Sequence, residues 1–381
     1  MKVAIVKERR LHETRVAASA ETVKKMIALG FEVIVEKGAG LASAIRDEDY
    51  KTAGAHLAKD FAACVQKADI VLKVQRPLSK EEGGIDEIAA LPEGSTLIAM
   101  LSPHTAPEQF KDYAARKINA LSLELAPRIT RAQAMDVLSS QSNLAGYRAV
   151  IEASALFGRV FPMMMTAAGT VPPARALILG AGVAGLQAIA TARRLGAIVS
   201  AFDVRAAARE QVESLGASFI SVESEEAGEG TGGYAKEMSI DYQKRQAEKI
   251  HETVKKNDVI VTTALIPGKP APRLITEPMI RDMKEGSVII DMAVEAGGNV
   301  EGSELGKVIE KHGVKICGYG NLSSRIARDA SALYARNMLN FLTLLWDNEQ
   351  KKLHINLEDE IIKATAITQG GKIIHPQFDG K

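Results

Sequence analysis

Residues 176–185 read Ala176-Leu177-Ile178-Leu179-Gly180-Ala181-Gly182-Val183-Ala184-Gly185. A short apolar run passes straight into three glycines spaced Gly-x-Gly-x-x-Gly, and 186–195 continues as a helix. In a strand–turn–helix unit these glycines permit a tight turn, and they let the backbone approach a pyrophosphate seated on the helix N-terminus. The next predicted strand, 198–202, ends in Asp203, about 20 residues on, where a carboxylate would accept from an adenine-ribose 2′-hydroxyl and repel a 2′-phosphate. NAD(H) is therefore favoured over NADP(H), although Arg205 offers a cation that a 2′-phosphate could meet. Gly180, Gly182, Gly185 and Asp203 are the first candidate cofactor residues.

Outward from this motif the chain alternates strand and helix, the pattern of a parallel α/β sheet. Predicted strands precede it at 3–6, 31–36, 68–74, 95–101 and 118–123, and follow it at 218–220, 258–262, 287–291 and 314–317. Val33, Ile34 and Val35 are consecutive because a parallel strand is buried on both faces. Between the two series, 131–161 is rich in Ala, Ser and Leu and contains no proline. A helix over that span would extend roughly 40 Å and could bridge two domains. A Pro-containing stretch, 161–173, follows it, and a second long helix is expected at 329–345 to return the chain. The tail reads as a hairpin, 361–368 and 372–374 about Gln369-Gly370-Gly371. The expected fold class is α/β, with two Rossmann-like, doubly wound parallel-sheet domains joined by long bridging helices. The first domain is discontinuous, 1–135 with 330–381, and the second, 136–329, carries the dinucleotide motif.

Composition agrees with a soluble multidomain protein. The 381 residues are 46% hydrophobic, and 48 Lys+Arg against 47 Asp+Glu leave a net charge of +1. That balance argues against a strongly basic nucleic-acid binder. Cys64 and Cys317 are the two cysteines, too few for a disulfide framework or a thiolate zinc site. The seven histidines lack metal-ligand spacing, so no metal is expected. The N-terminus lacks a signal-type apolar segment. No run approaches the roughly 18 apolar residues of a membrane span.

Two further stretches carry weight. Residues 223–246, with Gly228, Gly230, Gly232, Gly233 and Tyr234, form a long connection, the kind found as active-site lids or as flexible loops. Residues 128–143 place Asp136, Ser139, Ser140 and Asn143 at steps of three or four, one face of a helix. That face could line a cleft between domains, where ligands often bind, or be a solvated face with an N-terminal cap. No acid–base or nucleophile constellation accompanies either stretch. Dinucleotide redox chemistry needs none, because the cofactor carries the reaction.

The chain closely resembles the NAD(H)-binding component of the proton-translocating nicotinamide nucleotide transhydrogenase family. The resemblance runs through Pro127-Arg128-Ile129-Thr130-Arg131-Ala132-Gln133, Asp136 and Leu138-Ser139-Ser140-Gln141-Ser142-Asn143, and covers essentially the whole chain. Lys7-Glu8-Arg9, Arg15-Val16-Ala17, Lys73-Val74-Gln75-Arg76-Pro77, Gly232-Gly233-Tyr234 and Thr262-Thr263-Ala264-Leu265 belong to it. It implies a homodimer that binds NAD(H) and passes hydride to NADP(H) held on a separate partner component. A membrane-spanning component would couple the transfer to proton movement, and the chain would sit in the cytoplasm at the inner face of the membrane. By the same resemblance Arg128, Gln133, Asp136 and Ser139 serve the nicotinamide end, with Pro127, Ile129, Thr130 and Arg131 around them. Val183 lies along the dinucleotide, Asp203, Val204 and Arg205 surround the adenosine, and Gly233, Gln246, Thr263, Ala264 and Leu265 complete the pocket, with Tyr234 at a loop tip.

The related alanine dehydrogenase family is the alternative. It shares the Arg15 and Lys73 contexts and the glycine motif, and it carries a catalytic His and Asp. The corresponding positions here look like Met100 and Glu295. Without that His no group remains to shuttle the proton of amino-acid oxidation.

Overall fold

The computed structural model describes residues 1–222, 228, 238–266 and 268–379. They form two compact units, Met1–Gln141 with Ser324–Lys381, and Ser142–Ser323. The crossings fall at 141/142 and 323/324, a few residues from the 135/136 and 329/330 positions expected from sequence.

The first unit is built on an eight-stranded sheet. Six strands are parallel, in the order His56–Ala58, Glu32–Glu36, Lys2–Ile5, Ile70–Gln75, Thr96–Met100 and Asn119–Ser122. The central strands are apolar on successive residues because helices cover both faces, and every residue of Thr96–Met100 is buried. The strand His56–Ala58 gives no clear sequence signal, being only three residues at a sheet edge with an exposed histidine. From the far end of the chain, Ala366–Gln369 and Lys372–Ile373 add antiparallel at the other edge. The expected hairpin is shorter than the sequence suggested. Asp359 accepts from the Ile361 and Ile362 N–H groups, and this cap turns Glu360–Thr365 into a helix.

The second unit repeats the plan. Six parallel strands run Ser218–Ile220, Ile198–Phe202, Arg175–Leu179, Val259–Thr262, Val288–Asp291 and Val314–Cys317, and Val308–Lys311 closes the edge antiparallel. In both units the strand order is that of the doubly wound dinucleotide-binding sheet. It reverses between Lys2–Ile5 and Ile70–Gln75 in one, and between Arg175–Leu179 and Val259–Thr262 in the other.

The long helix expected over 131–161 is broken and shorter. Thr130–Met135 is a 3-10 helix, Asp136 interrupts it, and the α-helix runs Val137–Leu156, about 30 Å. Asp136 makes the break by capping: its carboxylate accepts from the Ser139 N–H at 2.8 Å and the Ser139 hydroxyl at 2.5 Å. Within the second unit this helix packs on the helix Val183–Arg194 so closely that a Cβ on Gly146 would stand 2.0 Å from the Ala184 carbonyl oxygen. The stretch read as a Pro-containing linker holds a small hairpin, Met164–Thr166 with Gly169–Val171, and Met165 on it is 82% exposed. The return helix, Ala327–Leu345, begins after the second crossing.

Candidate functional site

The order reversal in the second unit opens a crevice at the C-terminal ends of Arg175–Leu179 and Val259–Thr262, where ligands of doubly wound sheets bind. The glycine turn lies there, and its three glycines answer three different demands. Gly180 has φ +103°, which side-chain-bearing residues rarely adopt. A Cβ on Gly185 would stand 1.8 Å from the Gly180 carbonyl oxygen, so helix and turn could not meet. Gly182 has ordinary backbone angles, and a Cβ there meets nothing within 4 Å. Packing does not require glycine at 182. Open space at the N-cap of a twelve-residue helix suits the approach of an anionic group to the backbone.

Asp203 is buried at the end of the next strand and ties the turn to it. Its Oδ2 accepts from the Ala181 N–H at 2.7 Å, and its Oδ1 from the Arg205 N–H at 2.8 Å. The Arg205 guanidinium folds back on the same carboxylate, with Nε at 2.9 Å from one oxygen and NH2 at 2.8 Å from the other. The cation that left NADP(H) open is thus paired with the carboxylate that favours NAD(H). Val204 lies between them, and a Cβ on Gly228 would stand 2.1 Å from the Val204 carbonyl oxygen.

Across the crevice, Thr263 donates its hydroxyl to the Gly180 carbonyl at 3.1 Å and its N–H to the Leu179 carbonyl at 2.8 Å. Ala264 follows, then Leu265, 43% exposed, while Val183 on the helix side is 38% exposed. Gln246 is buried on the helix Ile240–Val254. Gly233 and Tyr234, the expected lid residues, lie outside the described residues.

The remaining candidates belong to the first unit. Arg128 and Gln133 are exposed, while Asp136 and Ser139 are half-buried and joined by the cap. The Ile129 N–H donates to the Pro127 carbonyl at 2.9 Å, and the side chain of Ile129 packs on the unit's core. Thr130 opens the 3-10 helix. Arg131 is tied within its own unit, to Asp359 at 2.6 Å and Glu360 at 3.7 Å.

A buried ionic network, which sequence reasoning missed, fills the corresponding crevice of the first unit. Lys73 lies 3.1 Å from Glu87 and 3.4 Å from Glu8, all three buried, and the Val74 N–H donates to Glu8 at 2.6 Å. Burial pushes the Glu8 carboxyl up, against the pull of Lys73. Beside it Arg15 binds both oxygens of Glu13, at 2.8 and 2.6 Å, and donates to Gln141 at 2.8 Å. Residues so far apart in sequence leave no spacing signal.

Met100 is buried at the end of its strand, and Glu295 accepts from the Asn321 N–H at 3.1 Å. Among the described residues no group of three or more His, Cys, Asp and Glu could hold a metal ion, and no helix is long and apolar enough to cross a membrane.

Residues 4–145 match the model of the alanine dehydrogenase/PNT N-terminal domain, and residues 149–376 that of the C-terminal domain. The chain is 57% identical over 383 aligned positions to an NAD(P) transhydrogenase subunit alpha chain of Rhodospirillum rubrum, with all of both chains covered. The crystal structure of transhydrogenase from Sinorhizobium meliloti superposes with a TM-score of 0.88 at 51% identity, covering 98% of this chain and 100% of that one. An L-alanine dehydrogenase structure superposes at 0.82 with 23% identity, over 99% and 98% of the two chains, a likeness of fold alone.

Proposed function

Since the chain belongs to the alanine dehydrogenase/PNT family and is a transhydrogenase alpha-subunit relative, we propose that it is the NAD(H)-binding component of a proton-translocating transhydrogenase. The observation that carries this reading is the glycine turn with buried Asp203 at the strand-order reversal, next to open space at Gly182. Bound there, the nicotinamide would supply hydride exchange with NADP(H) on a partner component. Gly180, Gly182 and Gly185 would admit the pyrophosphate, and Asp203 the adenine ribose, with Val183, Val204, Arg205, Gln246, Thr263, Ala264 and Leu265 around them. Gly233 and Tyr234 would close over the dinucleotide.

Arg128, Gln133, Asp136 and Ser139, with Pro127, Ile129, Thr130 and Arg131, would serve the nicotinamide end, the roles the resemblance gives them. Because Asp136 is engaged in capping Ser139, its role is orientation and not proton transfer. A membrane-spanning partner would hold the chain at the inner face of the membrane and move the protons. We further propose a homodimer, for which the exposed Met163, Met164 and Met165 offer an apolar surface. Light scattering on the purified chain should give twice the monomer mass.

The alanine dehydrogenase reading requires an acid–base group that Met100 cannot be. Purified chain should bind NADH, seen by its fluorescence, reduce no NADP⁺ analogue alone, and do so once the NADP(H)-binding component is added. No turnover with that component, or NADH formation from NAD⁺ and L-alanine, would sink the proposal. A sharper check is Asp203→Asn. It should weaken NADH binding roughly tenfold, the scale of a lost charged hydrogen bond, and strengthen NADPH binding as Arg205 is released to a 2′-phosphate. An unchanged ratio of the two affinities would remove Asp203 from the specificity role.

A further inference from the structure

A second carboxylate organises the loop across from the glycine turn. Asp291, the last residue of Val288–Asp291, is wholly buried. Its Oδ1 accepts from the Ala293 N–H at 3.0 Å, the Asn299 N–H at 3.2 Å and the Thr262 hydroxyl at 3.3 Å. Its Oδ2 accepts from the Val300 N–H at 3.2 Å. A carboxylate offers about four acceptor positions, and four donors converge on this one. It holds the turn 292–300 around itself. Gly298 permits the wrap: its φ is +80°, and a Cβ there would stand 2.6 Å from Asp291 Oδ2.

Asn299, also wholly buried, passes that order to the crevice. Its Oδ1 accepts from the Ala264 N–H at 3.1 Å, and its Nδ2 donates to the Ala264 carbonyl at 2.9 Å and the Pro272 carbonyl at 2.8 Å. One carboxamide therefore pairs both backbone groups of Ala264, as a neighbouring strand would. Thr263, the residue before, reaches the Gly180 carbonyl. Hydrogen bonds thus link the Asp291 carboxylate, through Asn299 and the backbone of 263–264, to the glycine turn.

We propose that Asp291 and Asn299 are positioning residues for the dinucleotide pocket, setting NAD(H) affinity by holding residues 263–265 against the glycine turn without touching the cofactor. This rests on the reading of that turn as the NAD(H) site. The residue types fit the task. Position 299 must donate and accept at once, which a carboxamide does and a carboxylate does not. Position 291 faces donors only, which a carboxylate satisfies and a carboxamide does not.

The test uses the full chain carrying Asn299→Asp, which turns a carboxylate oxygen toward two carbonyls, and Asn299→Ala, which leaves them unpaired. Folding is followed by circular dichroism and thermal melting, NADH affinity by fluorescence titration, and turnover with the NADP(H)-binding component. Both variants should raise the NADH Kd and KM roughly tenfold, leave kcat at saturating NADH unchanged, and speed exchange of the Ala264 amide proton. Asp291→Asn should act in the same direction. Should the Asn299 variants fail to fold, Thr262→Val removes only the hydroxyl contact and should raise Kd by a few-fold. Wild-type affinity and KM in a folded Asn299→Ala chain would overturn the proposal, as would losses that track the unfolded fraction alone. If the wild-type chain itself binds no NADH, the pocket assignment fails first, a result distinct from equal binding by wild type and variant.

Discussion

Gly182→Ala folds with wild-type stability and binds NADH about 5- to 150-fold more weakly, the equivalent of the ~1–3 kcal/mol that an added methyl costs where close contact is required. The first half follows from the open space around a Cβ at this position and its ordinary backbone angles. The second follows from what should occupy that space, a pyrophosphate drawn against the first N–H groups of the helix. Gly185→Ala is the contrast, because its methyl would stand 1.8 Å from the Gly180 carbonyl oxygen. That variant should lose stability before any ligand is added. Thermal melts and NADH titrations on both variants separate the cases. Wild-type affinity in Gly182→Ala would mean that the dinucleotide does not pass over this turn.

Arg15→Met should destabilise the first unit by about 3–5 kcal/mol at neutral pH, the cost of stranding one member of a buried ion pair. Both partners are almost inaccessible, with Arg15 and Glu13 side chains 3% and 1% exposed. Burial alone would raise the Glu13 carboxyl, but hydrogen bonds and the charge of Arg15 outweigh it and hold the group at about 2. A carboxyl held down in the fold contributes stability above its unfolded value of 4.5 and loses that contribution as pH falls toward about 2. The gap between wild type and Arg15→Met in urea unfolding should therefore narrow across that acid range. A gap independent of pH would show that the lost stability is packing and not charge.

The sequence made the sheets legible wherever strands were apolar on successive residues, and it made the cofactor turn legible because three glycines and an acid fall at defined distances along one βαβ unit. What it concealed were features whose partners are brought together only by folding. Asp291 and Asn299 bond to backbone groups of residues remote in sequence, and backbone groups leave no residue signature. Glu8, Lys73 and Glu87 meet across the sheet from three separate segments. The break at Asp136 was visible only as a possible cap, and no proline marked it. The small hairpin at 164–171 was hidden by its methionines and by a short turn that carries only one glycine, Gly169.

The two units share one strand order, yet only one has glycines at the reversal. In the other, the chain enters the crevice as Lys7-Glu8-Arg9, and the space is taken by its own charged side chains. The consequence is a stoichiometry. An architecture that occurs twice in the polypeptide should give a calorimetric titration with a single equivalent of NADH per chain, because the lysine and glutamates of the first unit act as a permanent internal ligand.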